Sequence, residues 1–121
     1  MDSLPLAGRL ILLAEDEEII LSEIEQTFTD AGFRVHLSRT VEDALLAVDV
    51  SDLAAAVVNH LLRDSESSRV CQRLKERHIP FVLFSGFTSV HGACRTGVSI
   101  HKPATSSILL STVAELIRCP A

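Results

Sequence analysis

Four short apolar runs in this chain each empty into a residue type that phosphoryl chemistry uses. Arg9 to Ala14 runs into Glu15-Asp16-Glu17, and Leu53 to Val58 ends at Asn59. Phe81 to Phe84 ends at Ser85, and Val98 to Ile100 ends beside Lys102-Pro103. An acid pair can hold a divalent cation, a hydroxyl can grip a phosphoryl oxygen, and a lysine can neutralise the charge. The pattern prepares a place for a carboxylate at its centre, yet Asn59 is an amide. A carboxamide oxygen is uncharged and its lone pair is delocalised, so it is a very poor nucleophile. It also brings two N–H donors to a place where the chemistry needs an anion.

Taken singly, these residues have bland explanations. Glu17 and Glu18 are acids of the kind favoured at a helix N-terminus. Ser85-Gly86 alone is a turn, and Lys102 alone is a surface lysine. Glu15 and Asp16 differ, because Ser85 and Lys102 share their address at the ends of strands. His60 and His101 lie near the same mouth, but no ligand spacing marks a transition-metal site.

The elements that must position these residues alternate between strand and helix. Ile20, Leu21, Ile24 and Phe28 recur at helical spacing and stop at Asp30-Ala31-Gly32, where glycine can close a helix. Phe33, Val35 and Leu37 alternate with Arg34 and His36 as a strand with one wet face. Thr40-x-x-Asp43 opens a helix carrying Val41, Ala44, Leu45 and Val48 on one stripe. Val70, Cys71 and Leu74 mark a third helix that stops at His78-Ile79-Pro80. Ile108, Leu109, Leu110, Val113, Leu116 and Ile117 mark the last helix, mostly as core.

Runs 10–14, 53–58 and 81–84 are continuously apolar, as parallel strands covered on both faces are, whereas 33–37 and 98–100 alternate as edges do. Right-handed crossovers then give an α/β, flavodoxin-like (βα)5 three-layer sandwich, its five parallel strands in the order 2-1-3-4-5. Ligands of such sheets bind beyond the carboxyl ends of the central strands, where Glu15, Asp16, Asn59 and Ser85 fall. The stretch from Ser85 to Lys102 must hold a crossover and the fifth strand. Only Thr88 to Arg95 can be helical there, about two turns, so the fourth helix is expected to be short.

Bulk properties narrow the function. At 121 residues, 47% of them hydrophobic, the chain makes one core, expected as a single domain over 8–118 with 1–7 and 119–121 as termini. A net charge of −5 with no basic face argues against nucleic acid. No apolar run reaches membrane length and the start lacks signal-peptide character, so a cytoplasmic location away from membranes is expected. Cys71, Cys94 and Cys119 are odd in number and widely spaced, so reduced thiols are expected.

Over residues 8–118 the chain resembles a response-regulator receiver domain of the CheY-like kind. The resemblance rests on ILLAEDEEI, AAAVVNHLL, VLFSGF and IHKPA in that order. LFSGF with a short fourth helix also resembles the single-domain receivers with a Phe-Ala-Thr-Gly-Tyr-like motif, found in alphaproteobacterial stress signalling. The resemblance implies Glu15 and Asp16 as acids that bind Mg²⁺, with the Leu61 carbonyl as a further ligand. It implies Ser85 as the switch hydroxyl, Lys102 as the phosphate-pocket lysine, and a cis Lys102-Pro103 bond. Asn59 falls on the phosphoacceptor aspartate, and Leu62 keeps the apolar residue three places on. Ser99 stands where many receivers carry a switch aromatic, Glu15 replaces the more usual Asp, and the loop from His60 to Ser68 lacks the usual Pro and Gly.

With Asn at the acceptor position, the site drops from three carboxylates to two, which leaves weak Mg²⁺ binding at most and no other cofactor. The amide is expected to bridge to Asp16 while Lys102 closes on the acids. The function implied is a pseudo-receiver in two-component phosphorelay signalling, not an enzyme, acting by contact with a histidine kinase, a phosphotransfer protein or another regulator. A homodimer is a further option. One alternative is a receiver phosphorylated elsewhere, such as on Asp64; another is an ordinary receiver inactivated by an Asp-to-Asn change. The altered loop and Ser99 are separate departures, which favours natural degeneracy. Enzymes of similar fold fit poorly: Glu15-Asp16-Glu17-Glu18 is neither a flavodoxin's Ser/Thr-rich phosphate loop nor a dehalogenase-type D-x-D turn, and no P-loop is present.

Overall fold

The computed structural model describes residues 8–50, 52–85, 98–101 and 105–118, with Ser85, Val98, Ser99 and His101 described through their backbone. Strands β1 (Leu10–Ala14), β2 (Arg34–Ser38), β3 (Leu53–Asn59), β4 (Phe81–Ser85) and β5 (Val98–His101) alternate with helices α1 (Glu18–Asp30), α2 (Val41–Val48) and α3 (Ser68–Glu76). Helix α4 (Ser106–Arg118) closes the chain. The strands form one parallel sheet in the order β2-β1-β3-β4-β5, as the run patterns predict.

Alternation along the central strands builds two cores. Ile11 and Leu13 of β1, Ala55 and Val57 of β3, and Val82 and Phe84 of β4 pack with Leu21, Ile24 and Phe28 of α1 and Leu109 and Val113 of α4. Their neighbours Leu12, Ala14, Ala56, Val58, Phe81 and Leu83 face Val41, Ala44 and Val48 of α2 and Val70 and Leu74 of α3. Continuous apolar runs are therefore required, because each residue has a core to enter on one side or the other.

Two helix ends are closed by the same backbone device. After α1, Gly32 takes φ +96°, its N–H reaches Thr29 O at 2.9 Å, and Phe33 N–H reaches Phe28 O at 3.1 Å. After α3, His78 takes φ +58°, its N–H reaches Lys75 O at 3.0 Å, and Ile79 N–H reaches Leu74 O at 2.9 Å. Both are Schellman closures, which satisfy the last carbonyls and return an apolar residue to the core. Phe33 accordingly meets Phe28 with ring centroids 5.7 Å apart.

Leu45, expected on the stripe of α2, is partly buried against the core, and Ala47 joins Val41, Ala44 and Val48 within it. Cys71 is not a reduced thiol: it is buried on α3 and disulfide-bonded, which linear spacing could not show because bridging is set by distance in three dimensions. The short fourth helix at 88–95 falls outside the described residues, as do Cys94 and Cys119. No helix among the described residues is long and apolar enough to cross a membrane.

Candidate functional site at the carboxyl end of the sheet

Register brings Glu15, Asn59 and the Ser85 backbone to one edge of the sheet. Ala14 pairs with Val58, so the next residues, Glu15 and Asn59, leave the sheet side by side. Asn59 in turn pairs with Phe84, which sets the Ser85 backbone on the same edge, opposite His101 of β5. The Ser85 side chain is not described, and Lys102 and Pro103 lie outside the described residues.

Glu15 and Asn59 are both buried. The Asn59 Nδ2 donates toward Leu61 O at 2.7 Å, Glu15 Oε2 at 3.2 Å and Asp16 Oδ1 at 3.5 Å. The same Glu15 oxygen accepts from Glu17 N–H at 3.1 Å. Three acceptors surround this atom and none of them can donate when the acids are ionised, so the nitrogen must face them and the amide oxygen must turn away. The bridge to Asp16 expected from the sequence is present as the longest of the three contacts. The shorter two, to Glu15 and Leu61, give the site its shape.

The resemblance implies a divalent cation at this point of the cleft. Two carboxylates and a backbone carbonyl converge on one point, as an oxygen-coordinated cation requires. The group aimed at that point by Asn59 is an N–H donor, which a cation repels. As they stand, the residues do not fit a bound Mg²⁺. Among the described residues, no group of three or more His, Cys, Asp or Glu side chains offers an alternative metal centre.

The loop after β3 is fixed by bonds that the sequence did not suggest. Ser67 N–H reaches His60 O at 2.8 Å, Leu62 N–H reaches Ser65 O at 2.9 Å, and Leu61 bridges to Glu66. Leu62 is buried beneath it, in the core shared with α2 and α3. Asp64 is turned away from the cleft. Its carboxylate accepts from the backbone N–H groups of Val41 at 2.7 Å and Glu42 at 3.3 Å. The bond from Val41 N–H, with that from Glu42, holds its pKa below the ordinary aspartate value. Asp64 thus adds a second cap to α2, beside Thr40 Oγ1, which accepts from Asp43 N–H at 3.0 Å.

At the rim, Arg39 grips Glu18 through Nε at 2.5 Å and a terminal nitrogen at 2.9 Å, with Arg63 at 3.9 Å. The Arg39 hydrogen bond lowers the Glu18 pKa and raises that of Arg39. These exposed pairs tie the start of α1 to the loops after β2 and β3, and contribute little to stability. Glu18 was legible only as a helix N-terminal acid, and nothing in the spacing of Arg39 and Arg63 marks them as its partners.

No protein-family model matches the chain. A response regulator receiver protein from Sinorhizobium medicae is 26% identical, with a TM-score of 0.79 over 97% of this chain and all 100% of that one. A CheY-like receiver domain from Methanospirillum hungatei superposes with a TM-score of 0.81 at 21% identity, over 92% of this chain and 94% of that one. The receiver domain of a sensor histidine kinase from Pseudomonas aeruginosa, with magnesium coordinated in its active-site cleft, has a TM-score of 0.79 at 20% identity, covering 93% and 100% of the two chains. The regulatory protein VanR of Enterococcus faecium is 25% identical over 77 residues, which are 63% of this chain and 33% of that protein. The chain therefore matches only about a third of the length of this regulator.

Proposed function

We propose that this chain, whose fold is that of response-regulator receiver domains, is a pseudo-receiver in two-component signalling. It works in the cytoplasm through protein–protein contact and takes no phosphoryl group on an aspartate. The observation that carries this is the Asn59 amide at the acceptor position, its nitrogen turned to Glu15, Asp16 and Leu61. An acceptor must present an anionic oxygen to phosphorus, and here a neutral nitrogen faces the acids. Partners of the proposed module are a histidine kinase, a phosphotransfer protein or another regulator. A shallow groove on the outer side of α1, reaching α4, supports such contact. It is lined by Ile19, Ser22, Glu23 and Thr27 of α1 and by Ser106 of α4, and Ile19 is 85% exposed.

Phosphorylation on Asp64 is disfavoured, because that carboxylate is spent on the N-terminus of α2. Incubation with acetyl phosphate and Mg²⁺ tests the reading by intact mass. The expected result is no gain for the natural chain. A gain of one phosphoryl group, mapped to a residue of this cleft, overturns the proposal.

A further inference from the structure

We infer that the Asn59 amino group takes over the structural work of a divalent cation, holding the loop after β3 in place without a metal. Two carboxylates and the Leu61 carbonyl would repel one another if left alone around one point. Asn59 Nδ2 supplies positive hydrogens there, and its shortest bond, 2.7 Å, goes to the loop residue Leu61. The amide has two N–H groups, so at most two of the three contacts are strong at once. The 3.5 Å approach to Asp16 is the one left weak.

The consequence lies in the backbone of residues 60–67. Leu61 is anchored to Asn59, and Ser67 N–H to His60 O and the Leu61–Glu66 bridge extend that anchor across the loop. A cation entering the cleft would need the amide to rotate by half a turn to present its oxygen, which removes the Leu61 bond. Order in this loop is therefore built in, and divalent cation neither creates it nor strengthens it. This rests on the cleft being a receiver-type site, but its test does not depend on phosphorylation.

Hydrogen exchange of the full chain, followed by mass spectrometry in EDTA and in excess MgCl₂, reads the loop directly. Wild-type protection across 60–67 is expected to be the same in both. Asn59→Ala is expected to exchange about tenfold faster there in both conditions, since it removes the anchor and supplies no charge. Asn59→Asp is expected to lose protection in EDTA and regain it with Mg²⁺. Protection of α1 and α3 controls for folding of each variant. A wild-type loop that gains protection with Mg²⁺, or an Asn59→Ala loop as protected as wild type, overturns the inference. Either result leaves the pseudo-receiver reading standing, which only a phosphoryl mass gain would remove.

Discussion

In the proposed reading, the Asn59 nitrogen keeps this cleft from accepting a phosphoryl group. Placing a carboxylate at position 59 tests the electrostatic side of that proposal. Asn59→Asp is expected to bind Mg²⁺ at least about tenfold more tightly than wild type, by calorimetry. Equal affinities would mean that Glu15, Asp16 and the Leu61 carbonyl suffice, and that the amide turns easily. The same substitution is expected to destabilise the metal-free protein, because a third carboxylate then joins buried Glu15 and nearby Asp16. Thermal melts with and without Mg²⁺ show this as a lowered Tm that the cation restores.

At the scale of elements, the helix ends make the sharpest predictions. His78 holds the left-handed position that Gly32 holds after α1. A side chain there costs about 1 kcal/mol or more. His78→Gly is expected to stabilise the protein by up to about 1 kcal/mol in urea unfolding, once the extra entropy of an unfolded glycine is set against it. Gly32→Ala is expected to destabilise it by about 1–2 kcal/mol. Asp64 makes a pH prediction. Its folded pKa is lowered by the α2 backbone N–H groups. Its contribution is full above the ordinary aspartate pKa and is lost as pH falls through the lower, folded value. Asp64→Asn is expected to flatten that acid portion of the stability profile, and an unchanged profile would show that the cap does not matter.

For the molecule as a whole, one sheet serves two cores, and α3 reaches its core through Val70, Cys71 and Leu74. Leu74 is fully buried and also receives the Ile79 N–H that closes the helix. Leu74→Ala is expected to cost about 2–5 kcal/mol, a large part of a small domain's total, measured by denaturant unfolding. The strand order was legible because Ile11 to Ala14, Ala55 to Val58 and Phe81 to Phe84 have cores on both faces, while Arg34 to Leu37 stay partly open at an edge. Ala47 was less legible, since α2 is short and a helical stripe is read only to within a residue or so.

What the amino-acid order determined by itself was the sheet, its sequence of strands, and the meeting of Glu15, Asp16 and Asn59 at one end. Hydrophobic periodicity is a local rule, and right-handed crossovers restrict how the strands it marks can be ordered. Tertiary structure alone decided that the Asn59 nitrogen ties down Leu61 and lies closer to Glu15 than to Asp16. It also decided that Asp64 caps α2 and that Cys71 is bridged. Each of these depends on the distance and direction between groups far apart in sequence, or on which end of an amide points inward. No spacing along the chain encodes either.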